Sequence, residues 1–229
     1  MARLKLIGSY CGALVLCAIA LILAGCGDPT ADKTAATVSD AVEVEPVASS
    51  EEGAALEEPV QDGLVYAFDN EGSSVDFEGY KVTGPHVGGF GTFSGTVTVP
   101  DGDLNRAQIA LGIDMTTTYS DNPDLTTKLL SPDFFEVETY PSATFVSTRI
   151  DAWPDGSQFD VTGNLALHGV TKGVTFPASI SLDGTTVTAE AEFTIDRSIW
   201  GITYKGVADD LIRDDVLIFF AIEAEAQGG

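Results

Sequence analysis

Cysteine is missing from nearly all of this 229-residue chain, and Cys11, Cys17 and Cys26 are its only three. Anything that folds beyond them has no disulfide, no thiolate metal site and no thiol nucleophile. Histidine is as scarce, with His86 and His168 alone. There is no Gly-x-Ser-x-Gly elbow and no glycine loop ending in Lys-Ser or Lys-Thr, which removes two common routes to catalysis. Basic residues number 11 against 35 acidic ones, for a net charge of −24. A surface of that sign repels a phosphate backbone and excludes nucleic acid as a partner.

The ends of the chain differ in kind. Arg3 and Lys5 precede an apolar run from Leu14 to Ala24, the pattern of a secretory signal over 1–25. The run ends in Leu23-Ala24-Gly25-Cys26, which is similar to the lipobox of bacterial lipoproteins and predicts lipidation of Cys26. Gly27 is not the aspartate associated with inner-membrane retention, so an outer-membrane address on the periplasmic side is favoured. Residues 27–63 hold ten acidic residues, one basic residue (Lys33) and no aromatic. With so little apolar bulk, 26–63 is predicted to be a lipidated N-terminus and disordered acidic tether. Its coil length is roughly 30–35 Å by square-root scaling.

Residues 64–229 form one domain, long enough to bury a core. It carries 25 acidic and 8 basic side chains, so contact with an anionic membrane must come from the lipid anchor. Period-2 alternation dominates, the mark of half-buried strands. Phe93, Gly95, Val97 and Val99 alternate with Ser94, Thr96 and Thr98. The same pattern covers 107–116, 159–167, 174–182 and 187–195, and further strands are expected at 65–69, 73–83, 142–151 and 212–226. Asp101-Gly102, Asp155-Gly156 and Asp183-Gly184 supply turns. About eight strands with short turns predict an antiparallel sandwich or barrel. One short helix is expected at Asn122–Leu130, opened by Asn122-Pro123, with a turn at Pro132–Glu136. The inward face carries Gly79, Gly95, Gly163, Ala178, Ala189 and Ala191. Facing aromatics can fill those spaces, or the spaces can form a ligand cavity, and periodicity does not choose.

Strand parity nominates the site. Val75, Phe77 and Gly79 lead inward to Lys81, and Ala191, Phe193 and Ile195 lead to Arg197. A cation pointing inward needs a carboxylate, water or an anionic head group. His86, in the glycine-rich stretch 83–90, is a third polar candidate. Leu167 faces in, so His168 is expected to face out in a structural role. The apolar lining is predicted from Phe77, Phe90, Phe93, Met115, Leu129, Leu130, Phe134, Phe135, Phe145, Phe193 and Trp200. Adjacent Phe134 and Phe135 on a short helix are expected to point apart, one packing and one reaching a mouth. In the last strand Leu217, Ile218, Phe219 and Phe220 leave no polar face, which calls for cover by the helix or by a partner and leaves a dimer open. The acidic run 209–215 reads as a polar turn, without the ligand order of a calcium loop. No cofactor or metal is expected.

Several ordered blocks carry a resemblance: FSGTVTVPDGDLNRAQIALGIDM (93–115), SPDFFEVETYP (131–141), VTGNLALHGVTKGVTFPA (161–178), FTIDRSIWGITY (193–204) and DDLIRDDV (209–216). Together they resemble the YceI family across 65–221. The resemblance implies a lipocalin-like eight-stranded barrel with an apolar cavity for an isoprenoid-like or other long-chain amphiphile, and no established catalytic residues. Two positions depart from the pattern. Many relatives have histidine where this chain has Lys128, and Lys-Pro where it has Lys172-Gly173. The expected function is sequestration or transport of such an amphiphile, an isoprenoid, quinone or fatty-acid derivative. The alternatives are a lipid-modifying enzyme using His86 or His168, or a protein-binding scaffold using the last strand.

Overall fold

A computed structural model describes residues 30–42 and 63–227, apart from Asp209. The expected signal, Cys26 and 43–62 lie outside the described residues. Thirteen strands follow in chain order: β1 Thr37–Asp40, β2 Leu64–Asp69, β3 Ser74–Lys81, β4 Gly84–Phe90, β5 Phe93–Val99, β6 Gln108–Asp114, β7 Thr118–Ser120, β8 Ser142–Ala152, β9 Phe159–Leu167, β10 Val170–Asp183, β11 Thr186–Asp196, β12 Gly206–Val207 and β13 Asp210–Ala226. One helix, α1 (Pro123–Leu130), lies between β7 and β8.

Eight of these strands close a ring. Its order is β2–β5–β6–β8–β9–β10–β11–β13 and back to β2, with every neighbour antiparallel. Closure leaves no free edge in the ring, which is how an all-β chain avoids edge-to-edge aggregation. The tight turns sit where the sequence placed them. Gly102, Gly156 and Gly184 have φ of 74°, 69° and 59°, a backbone that favours glycine. Alternation holds along β11, where Val187, Ala189, Phe193 and Ile195 are buried and Thr188, Glu190 and Glu192 are exposed.

The ring is uneven at two places. β13 pairs β2 only at Glu225 and Ala226, and farther along it pairs β3 instead. There β3, β4 and β7 extend the wall. The stretch 83–90, expected as a glycine-rich loop, is therefore strand β4. Glycine weakens an isolated strand, but β4 is paired on both sides, and a Cβ at Gly88 or Gly89 would overlap Phe77 or Tyr119.

β10 and β11 likewise pair only over Ser179–Asp183 with Thr186–Glu190. Beyond that they part, and 33–40 lies between them. Ala35 bridges Thr194 in parallel, and β1 runs antiparallel to Thr175–Lys172 of β10. This corrects the expected disordered tether over 30–42. Low apolar content argues against a core, but strand addition is held by main-chain hydrogen bonds. The same segment covers the outer face of β11. Thr194 points outward yet is buried, and so is its strand partner Leu217. The expected cover was the helix or a partner; at Thr194 it is the chain's own N-terminal segment that lies alongside.

α1 caps the end of the barrel bounded by β3 and β4. The Asn122 side chain accepts from the amides of Asp124 (2.9 Å) and Leu125 (3.1 Å), and Pro123 occupies the first turn. Both features were legible in the sequence. No helix among the described residues is long and apolar enough to cross a membrane.

Candidate functional site

Two apolar chambers lie in series inside the barrel. The ring chamber, about 150 Å³, is lined by side chains such as Phe68, Met115, Phe145, Phe176, Phe193 and Phe220. The cap chamber, about 120 Å³, lies beneath α1 and is lined by Phe77, Gly79, Leu125, Leu129, Phe134, Phe135 and Ile202. Phe90, Leu167, Ile195 and Ile218 line both. A vestibule of about 280 Å³ shares Lys81, His86, Leu125, Phe134 and Ile212 with the cap chamber and adds Lys128, Tyr204 and Asp210. The path runs from a polar mouth to a wholly apolar end.

The small inward residues divide between the two alternatives. At Gly95 and Gly163 a Cβ would overlap the Phe68 and Phe145 rings, so aromatics fill those spaces. At Gly79 a Cβ would meet nothing within 4 Å. The core is therefore solid where a ring faces a glycine, and open beneath Gly79.

Each basic side chain at the mouth has a carboxylate partner. Lys81 Nζ lies 3.0 Å from Asp210, and His86 Nδ1 lies 2.9 Å from Asp121. Lys128 pairs with Asp133 and sits 4.2 Å from the Tyr204 ring centroid. The hydrogen bond from Lys81 holds the Asp210 carboxyl below its ordinary range, and the bond to Asp133 raises the Lys128 ammonium. These pairs are partly exposed, so each is weak and exchangeable.

Arg197 is different. It is 5% exposed. It donates to the carbonyls of Arg213 (3.1 Å), Ile202 (2.6 Å) and Tyr204 (2.7 Å), and to Asp214 (3.0 Å). Burial lowers its pKa, opposed by Asp214 and Asp196. With its donors so engaged, Arg197 lines the cap chamber as a wall tie and has little capacity left for a head group.

Most sequence-nominated residues come together. Phe77, Lys81, His86, Phe90, Leu129, Phe134, Phe135 and Arg197 line the cap chamber, and Met115, Phe145 and Phe193 the ring chamber. Phe93, Leu130 and Trp200 line neither. Trp200 is fully buried and donates to the Leu165 carbonyl at 3.2 Å. It sits in a 3-10 turn, Arg197–Trp200, where strand parity has lapsed. Phe134 lines both the cap chamber and the vestibule, and Phe135 the cap chamber. Phe134 packs on Tyr204 (5.3 Å) and Phe135 on Phe77 (6.5 Å) and Phe90 (6.5 Å), and both line the chamber. The segment is a run of turns rather than a helix, and Glu136 at φ 47° ends it.

His168 does not face solvent. It takes φ 50°, which breaks the parity carried from Leu167, and its Nδ1 lies 3.0 Å from the Trp200 carbonyl oxygen. It lines neither chamber, so the two histidines are not brought together. Phe68, Phe176 and Phe220 were missed, although the parity used for Phe193 reaches Phe176 directly. Tyr204 and Lys128 at the mouth carry no periodic signal.

The sequence model of the YceI-like domain matches residues 66–224. The chain belongs to that family. This YceI-like barrel is 33% identical over 125 residues to a UPF0312 protein of Pseudomonas putida strain W619, covering 52% of this chain and 63% of that one. It is 36% identical over 93 residues to Protein YceI of Escherichia coli O157:H7, covering 41% and 48%. The matches thus span less than two thirds of these relatives' own length. Among solved structures, BcnA of Burkholderia cenocepacia has TM-score 0.60 at 28% identity, covering 66% of this chain and 96% of that one. A structure described as a polyisoprenoid binding domain from Saccharophagus degradans, implicated in plant cell wall breakdown, has TM-score 0.59 at 19% identity, covering 72% and 99%. At 19% identity the second likeness is one of fold alone.

Proposed function

We propose that this protein sequesters or carries a long-chain amphiphile, such as an isoprenoid, quinone or fatty-acid derivative. The reading rests on one observation. Two adjoining apolar chambers lie next to a vestibule whose polar groups, Lys81, His86, Lys128 and Tyr204, sit at one mouth. An amphiphile has the same order of chemistry, a head and then a tail. The polyisoprenoid-binding description of the Saccharophagus degradans domain supports that ligand class. Lys81, Lys128 and His86 are the head-group contacts, because Arg197 is committed to the wall.

Magnitudes favour a long tail. Ten buried methylenes contribute about 8 kcal/mol, within the cost of association of about 4–15 kcal/mol. Shorter chains bind marginally, and each added methylene helps. Lipidation at Cys26 on the periplasmic side of a membrane completes the reading, with no catalytic step required. Native mass spectrometry and lipid extraction of protein purified from its host test it. A bound long-chain lipid is expected. No extracted lipid, together with no binding of a fluorescent prenyl probe, overturns the reading.

A further inference from the structure

The two chambers, about 150 and 120 Å³, fall below the usual range for ligand pockets, roughly 300–1,000 Å³. A long tail therefore has to displace part of the wall. The weakest wall is the split between β10 and β11, which share only five paired positions before parting. Residues 33–40 fill the split. Their fastening is mostly main-chain: Ala36 N donates to Thr194 O (2.9 Å), Thr194 N donates to Thr34 O (2.9 Å), and β1 pairs four residues of β10. The ion pairs that add to it, Lys33–Glu192 and Lys172–Asp40, are solvent-exposed. Exposed pairs contribute little, Thr37, Ser39 and Asp40 bury almost nothing, and the apolar packing of the strand is that of half-buried Ala36 and Val38. A strand held this way belongs to the part of a fold that opens first.

Behind this strand lies a second route to the interior. An outer groove of about 660 Å³ runs beside Thr34, Ala35 and Thr37, and Phe176 and Phe220 line both this groove and the ring chamber. Phe176 stacks on Phe193 at 4.2 Å, with Phe220 edge-on at 5.9 Å. One layer of aromatic rings thus separates groove from chamber. The strand's seat is a close one. A Cβ at Gly173 would lie 2.6 Å from Ser39 Oγ and 2.9 Å from the Asp40 carbonyl oxygen, so the close approach of β1 requires glycine there.

We propose that the β10–β11 seam is a second, lateral opening of the cavity for the apolar tail of the amphiphile, and that residues 33–40 are the removable strand that closes it. This rests on the binding function proposed above. Thr37 and Thr175 are direct antiparallel partners, at a separation that a disulfide spans. The test is the Thr37→Cys/Thr175→Cys variant, in a full chain whose Cys11, Cys17 and Cys26 are each replaced by serine.

Stopped-flow association of a fluorescent prenyl probe is compared between the oxidised and reduced forms of that one variant. Locking the strand is expected to slow association by about tenfold or more, and reduction to restore it. Gly173→Pro, which crowds β1 off its seat, is expected to speed it. In the wild-type chain, hydrogen exchange at Ala36 and Val38 is expected to precede exchange in β9. Equal association rates of the oxidised and reduced forms overturn the lateral opening and leave the vestibule as the route. Failure of the serine-replaced parent to bind the probe overturns the binding function and the opening together.

Discussion

Gly79 is where substitution separates ligand binding from folding. Its missing side chain leaves space in the cap chamber, so Gly79→Leu is expected to fill it. Probe affinity should fall by about tenfold or more, the equivalent of ~1.4 kcal/mol, with an unchanged or higher melting temperature. Gly95→Leu is the contrast, because its Cβ would overlap Phe68. Overpacking there is expected to destabilise by about 1–3 kcal/mol in urea titration. Arg197→Ala should act on stability rather than on the head group. Removing it leaves three carbonyls without their donor and Asp214 with Lys205 alone, for an expected loss of about 3–5 kcal/mol by chemical denaturation.

Asp210 sets a pH dependence at the same scale. Its folded pKa is depressed from the ordinary 3.8, first by the hydrogen bond from Lys81, which burial opposes, and then by those from Thr83. The sign follows: the pair contributes fully above the unfolded value and is lost as pH falls through the lower, folded one. Carboxyl NMR should find the Asp210 midpoint below 3.8 in the wild type and higher in Lys81→Ala. An unmoved midpoint would show that Lys81 does not hold this carboxylate.

At the scale of elements, α1 is a short lid whose stability depends on its first turn. Eight residues are too few for a helix to persist alone, so capping and packing hold it. Asn122→Ala removes the acceptor for two amides and is expected to cost about 1 kcal/mol. Since α1 supplies Leu125 and Leu129 to the cap chamber, faster probe dissociation should accompany that loss. Strands β1 and β4 carry the complementary lesson. Both have compositions that read as coil, one acidic and one glycine-rich. Both are strands because a neighbouring wall offers hydrogen bonds that no local window of sequence contains.

For the molecule as a whole, attachment and orientation follow from the packed position of Thr30. Four peptide links separate Cys26 from Thr30, a reach of at most about 14 Å. A lipidated Cys26 would hold the barrel close to the bilayer, instead of at the end of a long tether. The domain's 25 acidic residues against 8 basic ones would not hold it to anionic lipid by charge. Cys26→Ser is therefore expected to move the protein from the membrane fraction to the soluble one, with the barrel's circular dichroism unchanged. Retention of that variant in the membrane fraction would rule out the anchor.

Alternation at period 2, three Asp-Gly turns and the Asn122-Pro123 start are local signals, and they determined by themselves most of the strands, an antiparallel sandwich or barrel, and the single helix; the choice of a barrel came with the family resemblance. Parity along a strand also assigns a face, which is why Phe77, Met115, Phe145 and Phe193 were legible as inward. A face is not a space, however. Whether Gly79 opens a chamber while Gly95 and Gly163 are filled depends on which ring stands opposite, across partners far apart in sequence. The commitment of Arg197 to three carbonyls and Asp214, the turned-in His168 and the strand seated between β10 and β11 were decided by the tertiary structure alone. Each depends on where two separately encoded pieces meet, and hydrogen bonding and packing across that meeting leave no periodic trace in either piece.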